Sequence, residues 1–232
     1  MNKAIQTINC GHPSHTYKNF LSLSFNNNDP SLQKAIAEGR QRAQKVNPRD
    51  PSGRIRSLPQ LESTNIRGVL AEICTENILM DEIKKLGLNA QIGKSSDIID
   101  DIEGITQVDL YLTIGDKKFE IETRSSCVRN GINFGITSRF FNIVGWYKTS
   151  SKPNEPKKDF YFMYLYGFDE SETASRLATN LEVCFVGGAT KSMLQGVLGS
   201  DETMKQTGAL YRGINPICAA LDSQQIIDEI FS

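Results

Sequence analysis

Apolar and polar positions follow helical spacing in two N-terminal segments of the chain. A long helix is expected to start at residues 62 to 65, apolar residues recur at a period close to 3.6 across residues 66 to 86, and Gly87 follows as a helix stop. A second helix is expected from Asp29 to about Val46, because Asp caps a helix and the following Pro fits its first turn. Residues 47 to 59, between these helices, are rich in proline and predict a loop.

Strands are indicated by alternation and by one aromatic run. Residues 108 to 114 alternate, Gly115-Asp116 suits a tight turn, and residues 118 to 124 return as the second strand of a hairpin. Buried strands are expected at residues 159 to 168 and 181 to 186. Short helices are expected at residues 171 to 177, 189 to 198 and 226 to 231. Less regular chain is expected at residues 88 to 105 and, with some helix, at 127 to 147. This order predicts a mixed α/β core with helical additions at the N-terminus.

Composition fits an ordinary globular protein. The 232 residues suit a single domain, and 39% hydrophobic with 23% charged residues exclude a disordered or fibrous chain. No apolar run approaches the ~20 residues of a membrane span, so no membrane partner is expected. The first residues lack the apolar core of a signal peptide. Five scattered cysteines indicate reduced thiols, and hence a cytoplasmic protein.

Charge is unevenly distributed. The net charge is −1, which excludes a histone-like basic binder, but residues 32 to 60 carry seven basic and two acidic side chains, a local +5. Arg54 and Arg56 lie in the predicted loop and are candidates for phosphate or guanine contacts, since arginine binds both bidentately. The alternative is an ordinary solvated loop.

Three carboxylates are expected on one face of the predicted hairpin. Asp109 lies on the first strand, and Glu120 and Glu122 share a face of the second. Carboxylates gathered in this way stay ionised together when a divalent cation joins them, and Mg²⁺ prefers such oxygen ligands. The alternative is that the two glutamates lie on a solvated strand face.

The long helix adds a further carboxylate. Glu76 falls within its apolar stripe, and Glu72 lies at the edge of that stripe one turn earlier. A carboxylate on a core-facing surface is costly unless it is paired or binds a metal. The alternative to metal binding is a salt bridge to an arginine such as Arg124.

These motifs together resemble the core of the PD-(D/E)XK nuclease superfamily. The matching residues are Arg67-Gly68 to Glu72, Val108-Asp109 and Phe119 to Glu122, within a span of about a quarter of the chain. That family's core has a helix bearing Glu, a strand carrying Asp and a second strand carrying Glu-X-Lys. Residues 159 to 168 stand where the family's next core strand is expected.

The sequence departs from the family pattern at two positions. Val108 precedes the Asp where the family has Pro, and Glu122 replaces the usual Lys. Some restriction endonucleases of the family carry Glu-X-Glu in this place. The resemblance implies a restriction-endonuclease-like mixed central sheet flanked by helices, in one domain. Its expected parts are a helical, basic N-terminal extension (1 to 60), a catalytic core (61 to 200) and a C-terminal extension (201 to 232).

The function implied by the resemblance is Mg²⁺-dependent, sequence-specific cleavage of double-stranded DNA, as in a type II restriction enzyme. Asp109 and Glu120 would hold the metal, and Glu122 would join them or act on the attacking water. Glu72 would complete the site, with Glu76 as the alternative. A homodimer is expected, since two strands must be cut.

Several alternatives remain open at the level of sequence. Arg124, Arg129 and Arg139 follow the carboxylate strand and either contact DNA phosphates or pair on the surface. The activity could belong to another nuclease of the superfamily, in repair, recombination or phage defence, or the chain could be a catalytically inactive DNA-binding module. A glycosidase is disfavoured, because Glu120 and Glu122 are too close to straddle a sugar.

Overall fold

The fold is described here from a computed structural model, which covers residues 1–11, 15–48, 55–94, 108–148, 155–204 and 208–232. The helices are α1 (Pro30–Ala43), α2 (Leu58–Leu86), α3 (Ile132–Thr137), α4 (Thr173–Ala178), α5 (Lys191–Gln195) and α6 (Ser223–Phe231). The strands are β1 (Asn2–Thr7), β2 (Asn19–Asn26), β3 (Ala90–Lys94), β4 (Leu110–Ile114), β5 (Lys117–Cys127), β6 (Ile143–Tyr147), β7 (Phe160–Tyr166), β8 (Asn180–Thr190), β9 (Ser200–Thr203) and β10 (Leu210–Ile214).

Seven strands form one mixed sheet in the order β1-β2-β8-β7-β5-β4-β3. Its neighbours are antiparallel except β5 and β7, which run parallel. A smaller sheet has the order β6-β10-β9. The molecule is therefore an α/β protein with a mixed central sheet flanked by helices, as the order of elements predicts.

Each face of the large sheet carries its own hydrophobic core. Helices α1, α2 and α6 cover one face, where Leu70 and Leu79 pack with Phe162 and Phe185 from the sheet. Tyr161 and Leu165 point to the other face, together with residues of α3, β6 and β10. Strand β7 is buried along its whole length because both of its faces are covered.

Helices α1 and α2 approach each other closely at a glycine. A Cβ atom on Gly39 of α1 would lie 2.5 Å from Cα of Ile66 in α2. Only glycine fits at such a distance, so this position sets how α1 lies against α2. Neither of these helices, nor any other in the described ranges, combines the length and the apolar character needed to cross a bilayer.

The structure differs from the sequence-based expectations mainly at the N-terminus and at short strands. Residues 1 to 26, expected in a helical extension, contain β1 and β2. Helix α2 begins at Leu58, because Ser57 and Gln60 form a capping box and Pro59 fits the first turn. Strands β3 and β6 lie in segments expected to be irregular or partly helical. The helix expected at 189 to 198 is limited to Lys191–Gln195.

Candidate active site

The β4–β5 hairpin brings the predicted carboxylates to neighbouring strands. Leu110 pairs with Ile121, and Tyr111 with Glu120, so Asp109 stands at the start of β4 opposite Glu122. Ile121 packs in the helix-covered core, and Glu120 and Glu122 therefore point to the other face. The alternation in the sequence correctly predicts the shared face of Glu120 and Glu122, whereas Asp109, expected within the first strand, directly precedes it.

The carboxylate of Asp109 is fixed by one residue of the neighbouring strand. Its Oδ2 accepts a hydrogen bond from the Thr123 backbone N–H at 2.7 Å and another from the Thr123 hydroxyl at 2.9 Å. These two bonds orient the carboxylate.

Glu122 is the most perturbed carboxyl group of the cluster. It is buried, and burial is the largest cause that raises its pKa to about 8. Asp109 and Glu155 raise this pKa further, while Arg124 and Lys158 lower it. Nη2 of Arg124 lies 3.0 Å from Glu122 Oε1. The surrounding cations therefore do not offset the cost of burying the ionised form of Glu122.

Glu72 lies on α2, which covers the opposite face of the sheet from Glu120 and Glu122, and it approaches Asp109. It is buried and forms a bidentate ion pair with Arg42 of α1, in which Arg42 Nη2 lies 2.7 Å from Glu72 Oε2. Burial, followed by the nearby Asp109, raises the pKa of Glu72, and Arg42 opposes the shift. Asp109 thus lies close to both Glu72 and Glu122.

The alternative helix carboxylate is engaged elsewhere. Glu76 forms an ion pair with Lys94 of β3, with Nζ and Oε2 3.0 Å apart. The salt bridge considered for the helix glutamate exists at Glu72, with Arg42 rather than Arg124 as its partner.

Arg124 belongs to the interior of the site. Its Nη2 lies 3.1 Å from Glu155 Oε1 as well as close to Glu122, and its guanidinium lies 5.2 Å from the centre of the Tyr147 ring. Glu155 also accepts a hydrogen bond from the Tyr147 backbone N–H. These contacts leave Arg124 little freedom to contact DNA phosphates, and Glu155 is a member of the cluster that sequence reasoning missed.

Lys158 is the second residue that sequence reasoning missed. It is 1% exposed, and its Nζ lies 4.0 Å from Glu120 Oε2. Among the residues described by the structure, this Nζ has no hydrogen-bond partner. The only signal in the sequence was that this lysine directly precedes a buried strand. It lies near Glu120 because β7 pairs with β5.

The donor set suits a hard divalent cation. No group of three or more His, Cys, Asp or Glu side chains within the described ranges is arranged to hold a metal. Mg²⁺ is commonly held by one or two carboxylates, with water and substrate phosphate as its other ligands. Asp109, Glu120 and Glu122 provide carboxyl oxygens of the kind that this ion prefers.

Comparison with known proteins gives one distant relative. No family model and no solved structure matches the chain. The chain is 24% identical over 237 residues to the uncharacterized protein MJECS01 of Methanocaldococcus jannaschii, in an alignment that covers 90% of this chain and 85% of the relative. Because that protein has no functional description, the function must be argued from the site itself.

The remaining candidate DNA-binding arginines are spread over the molecule. Arg54 lies outside the described residues. Arg56 donates from Nη2 to the Asn47 carbonyl oxygen at 3.2 Å. Arg129 is exposed beyond the far end of β5, and the seven residues from Glu120 to that end span about 23 Å. Arg139 is exposed before β6 and its carbonyl accepts from Asn215. The structure does not bring Arg129 or Arg139 to the carboxylates.

Proposed function

We propose that this protein is a Mg²⁺-dependent endonuclease of the PD-(D/E)XK type that cuts double-stranded DNA at specific sequences. The observation that carries the proposal is the set of carboxyl groups at the β4–β5 hairpin. A buried Glu122 lies on β5 near Asp109, which directly precedes β4, and Glu120 lies on the same strand near an ammonium group. Such a concentration of carboxylates and perturbed pKa values is typical of catalytic sites.

The order of the elements supports the same proposal. Helix α2 bears Glu72, β4 follows Asp109, and β5 carries Glu120 and Glu122. Strand β7 lies directly beside β5, as expected of the family's next core strand. This is the succession that the resemblance to the superfamily requires.

The reaction we propose is hydrolysis of a phosphodiester. Mg²⁺ would supply positive charge at the phosphate and lower the pKa of the attacking water. Asp109 and Glu120 would hold the ion, and Glu122 would accept the proton of the water, for which a pKa of about 8 is well suited. The water oxygen bonds to phosphorus as the bond from phosphorus to the 3′ oxygen breaks, and that oxygen takes a proton from solvent. The products are a 5′-phosphate and a 3′-hydroxyl.

One observation favours a second function, that of a catalytically inactive DNA-binding module. Glu72 is paired bidentately with Arg42, and Glu122 is paired with Arg124. An arginine that stays paired with a carboxylate would supply the positive charge that a metal ion supplies in a nuclease. In a nuclease the carboxylates are needed for cleavage as well as for stability. In an inactive module they are needed for stability alone.

The test is cleavage of phage-length duplex DNA in Mg²⁺, with EDTA as a control. Wild-type protein should give discrete bands that vanish in EDTA. Glu120→Gln should abolish the bands, and Asp116→Ala, an exposed change in the turn of the same hairpin, should retain them. Intact DNA with wild-type protein on many substrates, methylated and single-stranded ones included, would overturn the nuclease proposal and favour the inactive module.

A further inference from the structure

Two cysteines from opposite ends of the chain lie in contact. Cys10 follows β1, and Cys218 lies in a single turn of 3-10 helix, Ile217–Ala219, that precedes α6. The Cys10 thiol donates a hydrogen bond to the sulfur of Cys218, and neither cysteine is in a disulfide. Both pack in the core that α3, β6 and β10 share with the large sheet. Two thiols in contact need only a small approach to form a disulfide.

The backbone on both sides of this pair is fixed. Asp222 caps α6, and its Oδ2 also accepts hydrogen bonds from the N–H groups of Lys18 and Asn19 at 3.0 and 3.2 Å. The Ile8 N–H donates to the Lys18 carbonyl oxygen at 2.8 Å. The chain that bears the first thiol is thus attached to the start of α6, close in sequence to the second thiol.

The two thiols differ in their exposure and in their neighbours. Cys218 is 2% exposed, whereas Cys10 is half-buried. A small oxidant in solution therefore reaches Cys10 first. Nδ1 of His15 lies 3.5 Å from Sγ of Cys218, within hydrogen-bond distance for sulfur. The buried thiol thus has an imidazole beside it that can take its proton.

The surroundings of Cys10 keep it reduced at neutral pH. Burial, followed by the hydrogen bond to Cys218 and the charges of Cys218 and Asp222, raises the pKa of Cys10 to about 12. The titratable groups that face the pair are His15, Tyr17 and Asp222. Because the thiolate is the nucleophile, oxidation of Cys10 calls for abundant oxidant or a high pH.

We propose that Cys10 and Cys218 form a reversible disulfide when the protein meets a hydroperoxide, and that Cys10 is oxidised first. The Cys10 thiolate attacks one peroxide oxygen, and the O–O bond breaks. The leaving oxygen takes a proton from solvent and, for hydrogen peroxide, departs as water. Cys10 is then a sulfenic acid.

The second step closes the disulfide. Cys218 gives its proton to His15 and attacks the sulfur of Cys10, whose S–O bond breaks. The hydroxide that leaves takes the proton from His15 and becomes water. Two electrons have passed from the two sulfur atoms to the peroxide, so the balance is two thiols and one hydrogen peroxide giving one disulfide and two waters.

The experiment treats the whole protein with hydrogen peroxide, alkylates the remaining thiols and maps disulfides by mass spectrometry of unreduced peptides. We expect the peptide that holds Cys10 to be linked to the one that holds Cys218, and dithiothreitol to separate them. The same treatment in urea should lose this preference, because three other cysteines then compete. Absence of the link in the folded protein, whether Cys10 stays reduced, pairs elsewhere or is oxidised further, would overturn the proposal.

Three variants test the order of the steps. Cys218→Ser should stop at a sulfenic acid on Cys10, which dimedone traps. His15→Asn should form the same disulfide more slowly and accumulate the sulfenic acid. Cys127→Ser removes another partly buried thiol and, as the matched control, should form the link as wild type does. A His15→Asn protein that closes the disulfide at the wild-type rate would overturn the role of His15.

The pH dependence and the melting temperature give two further readouts. The rate at which Cys10 is oxidised should rise roughly tenfold per pH unit between pH 7 and 9, as its thiolate fraction does. A rate that does not change with pH would overturn Cys10 as the first thiol. The disulfide closes a loop over most of the chain, so oxidation should raise the melting temperature of wild type and not that of Cys10→Ser. None of these measurements uses DNA cleavage, so their outcome is independent of the proposed nuclease function.

Discussion

Glu122 shows how neighbouring groups set the proton affinity of one residue. Two carboxylates, Asp109 and Glu155, oppose its ionisation, and two cations, Arg124 and Lys158, favour it. Burial outweighs the cations, so the pKa of Glu122 lies at about 8. At neutral pH and without a metal, the Glu122 carboxyl is therefore protonated in the folded protein and ionised in the unfolded chain.

This proton makes stability depend on pH. Between about pH 4.5 and 8 the folded state binds more protons than the unfolded state at this position, so the free energy of unfolding should fall as pH rises. The slope contributed by one group reaches at most about 1.4 kcal/mol per pH unit. Urea denaturation in EDTA at several pH values should show a steeper fall in wild type than in Glu122→Gln, in which the raised pKa of Glu72 still contributes. Identical slopes for both proteins would contradict the shifted pKa.

Asp109 combines a structural and a chemical role that two substitutions should separate. Asp109→Ala leaves the Thr123 N–H without its acceptor and should lower the free energy of unfolding by about 1 to 3 kcal/mol. Asp109→Asn keeps an oxygen acceptor and removes a charge that opposes ionisation of Glu72 and Glu122, so its stability should equal or exceed wild type. Both should abolish cleavage. Equal destabilisation of the two variants, measured by urea denaturation, would contradict this account.

At the scale of elements, the packing of α1 on α2 positions Arg42 against Glu72. Gly39 allows the close approach of the two helices, and Arg42 follows it within the same helix by one turn. The distance between α1 and α2 therefore determines whether Arg42 and Glu72 can form their bidentate ion pair.

A pair of glycine substitutions tests this contact. Gly39→Ala places a methyl group 2.5 Å from Cα of Ile66 and should cost about 1 to 3 kcal/mol of stability. Gly68→Ala, on α2 with nothing within 4 Å of the new Cβ, should be neutral or stabilise by about 0.5 to 1 kcal/mol. Thermal or urea denaturation measures both. A Gly39→Ala protein as stable as Gly68→Ala would show that the helices do not need this approach.

Local patterns were sufficient for elements with strong periodicity or clear stop signals. The end of α2 at Gly87, the β4–β5 hairpin and the buried β7 could be predicted in this way. Strand β1 is exposed along its length and shows no alternation to detect. Strand β2 does alternate at residues 21 to 25, so its signal was present and missed. The start of α2 was missed because Pro59 was assigned to the loop rather than to the first helical turn.

The candidate site shows the same difference between residues that local patterns predict and residues that they do not. Alternation within a hairpin places Glu120 and Glu122 on one face, with Asp109 next to the neighbouring strand, without knowledge of the rest of the chain. Arg42 and Lys158 join them only because α1 packs on α2 and β7 pairs with β5. Contacts between segments distant in sequence leave no local periodicity, so these residues could not be predicted.

At the scale of the whole molecule, one chain offers one carboxylate cluster in its described part. Cutting both strands of a duplex at one site calls for two such clusters, which a two-fold dimer provides. We therefore expect light scattering, in the presence of duplex DNA and Ca²⁺, to give the mass of two chains plus that of the bound duplex. A strictly monomeric protein that nicks only one strand would contradict a dimeric cutter.

The pairing of β2 with β8 has a consequence for how the protein is made. Strand β2 lies between β1 and β8, and β8 ends at residue 190. A hairpin of β1 and β2 alone is at best marginally stable in water. At ~5 to 20 residues per second, roughly 10 to 30 s separate the synthesis of β2 from that of β8. During that interval the edge of β2 that pairs with β8 has no partner, and Leu23 and Phe25 lack part of the core in which they pack. The sheet therefore closes only after β8 has been synthesised, and slower translation prolongs the exposure of an aggregation-prone strand to other nascent chains.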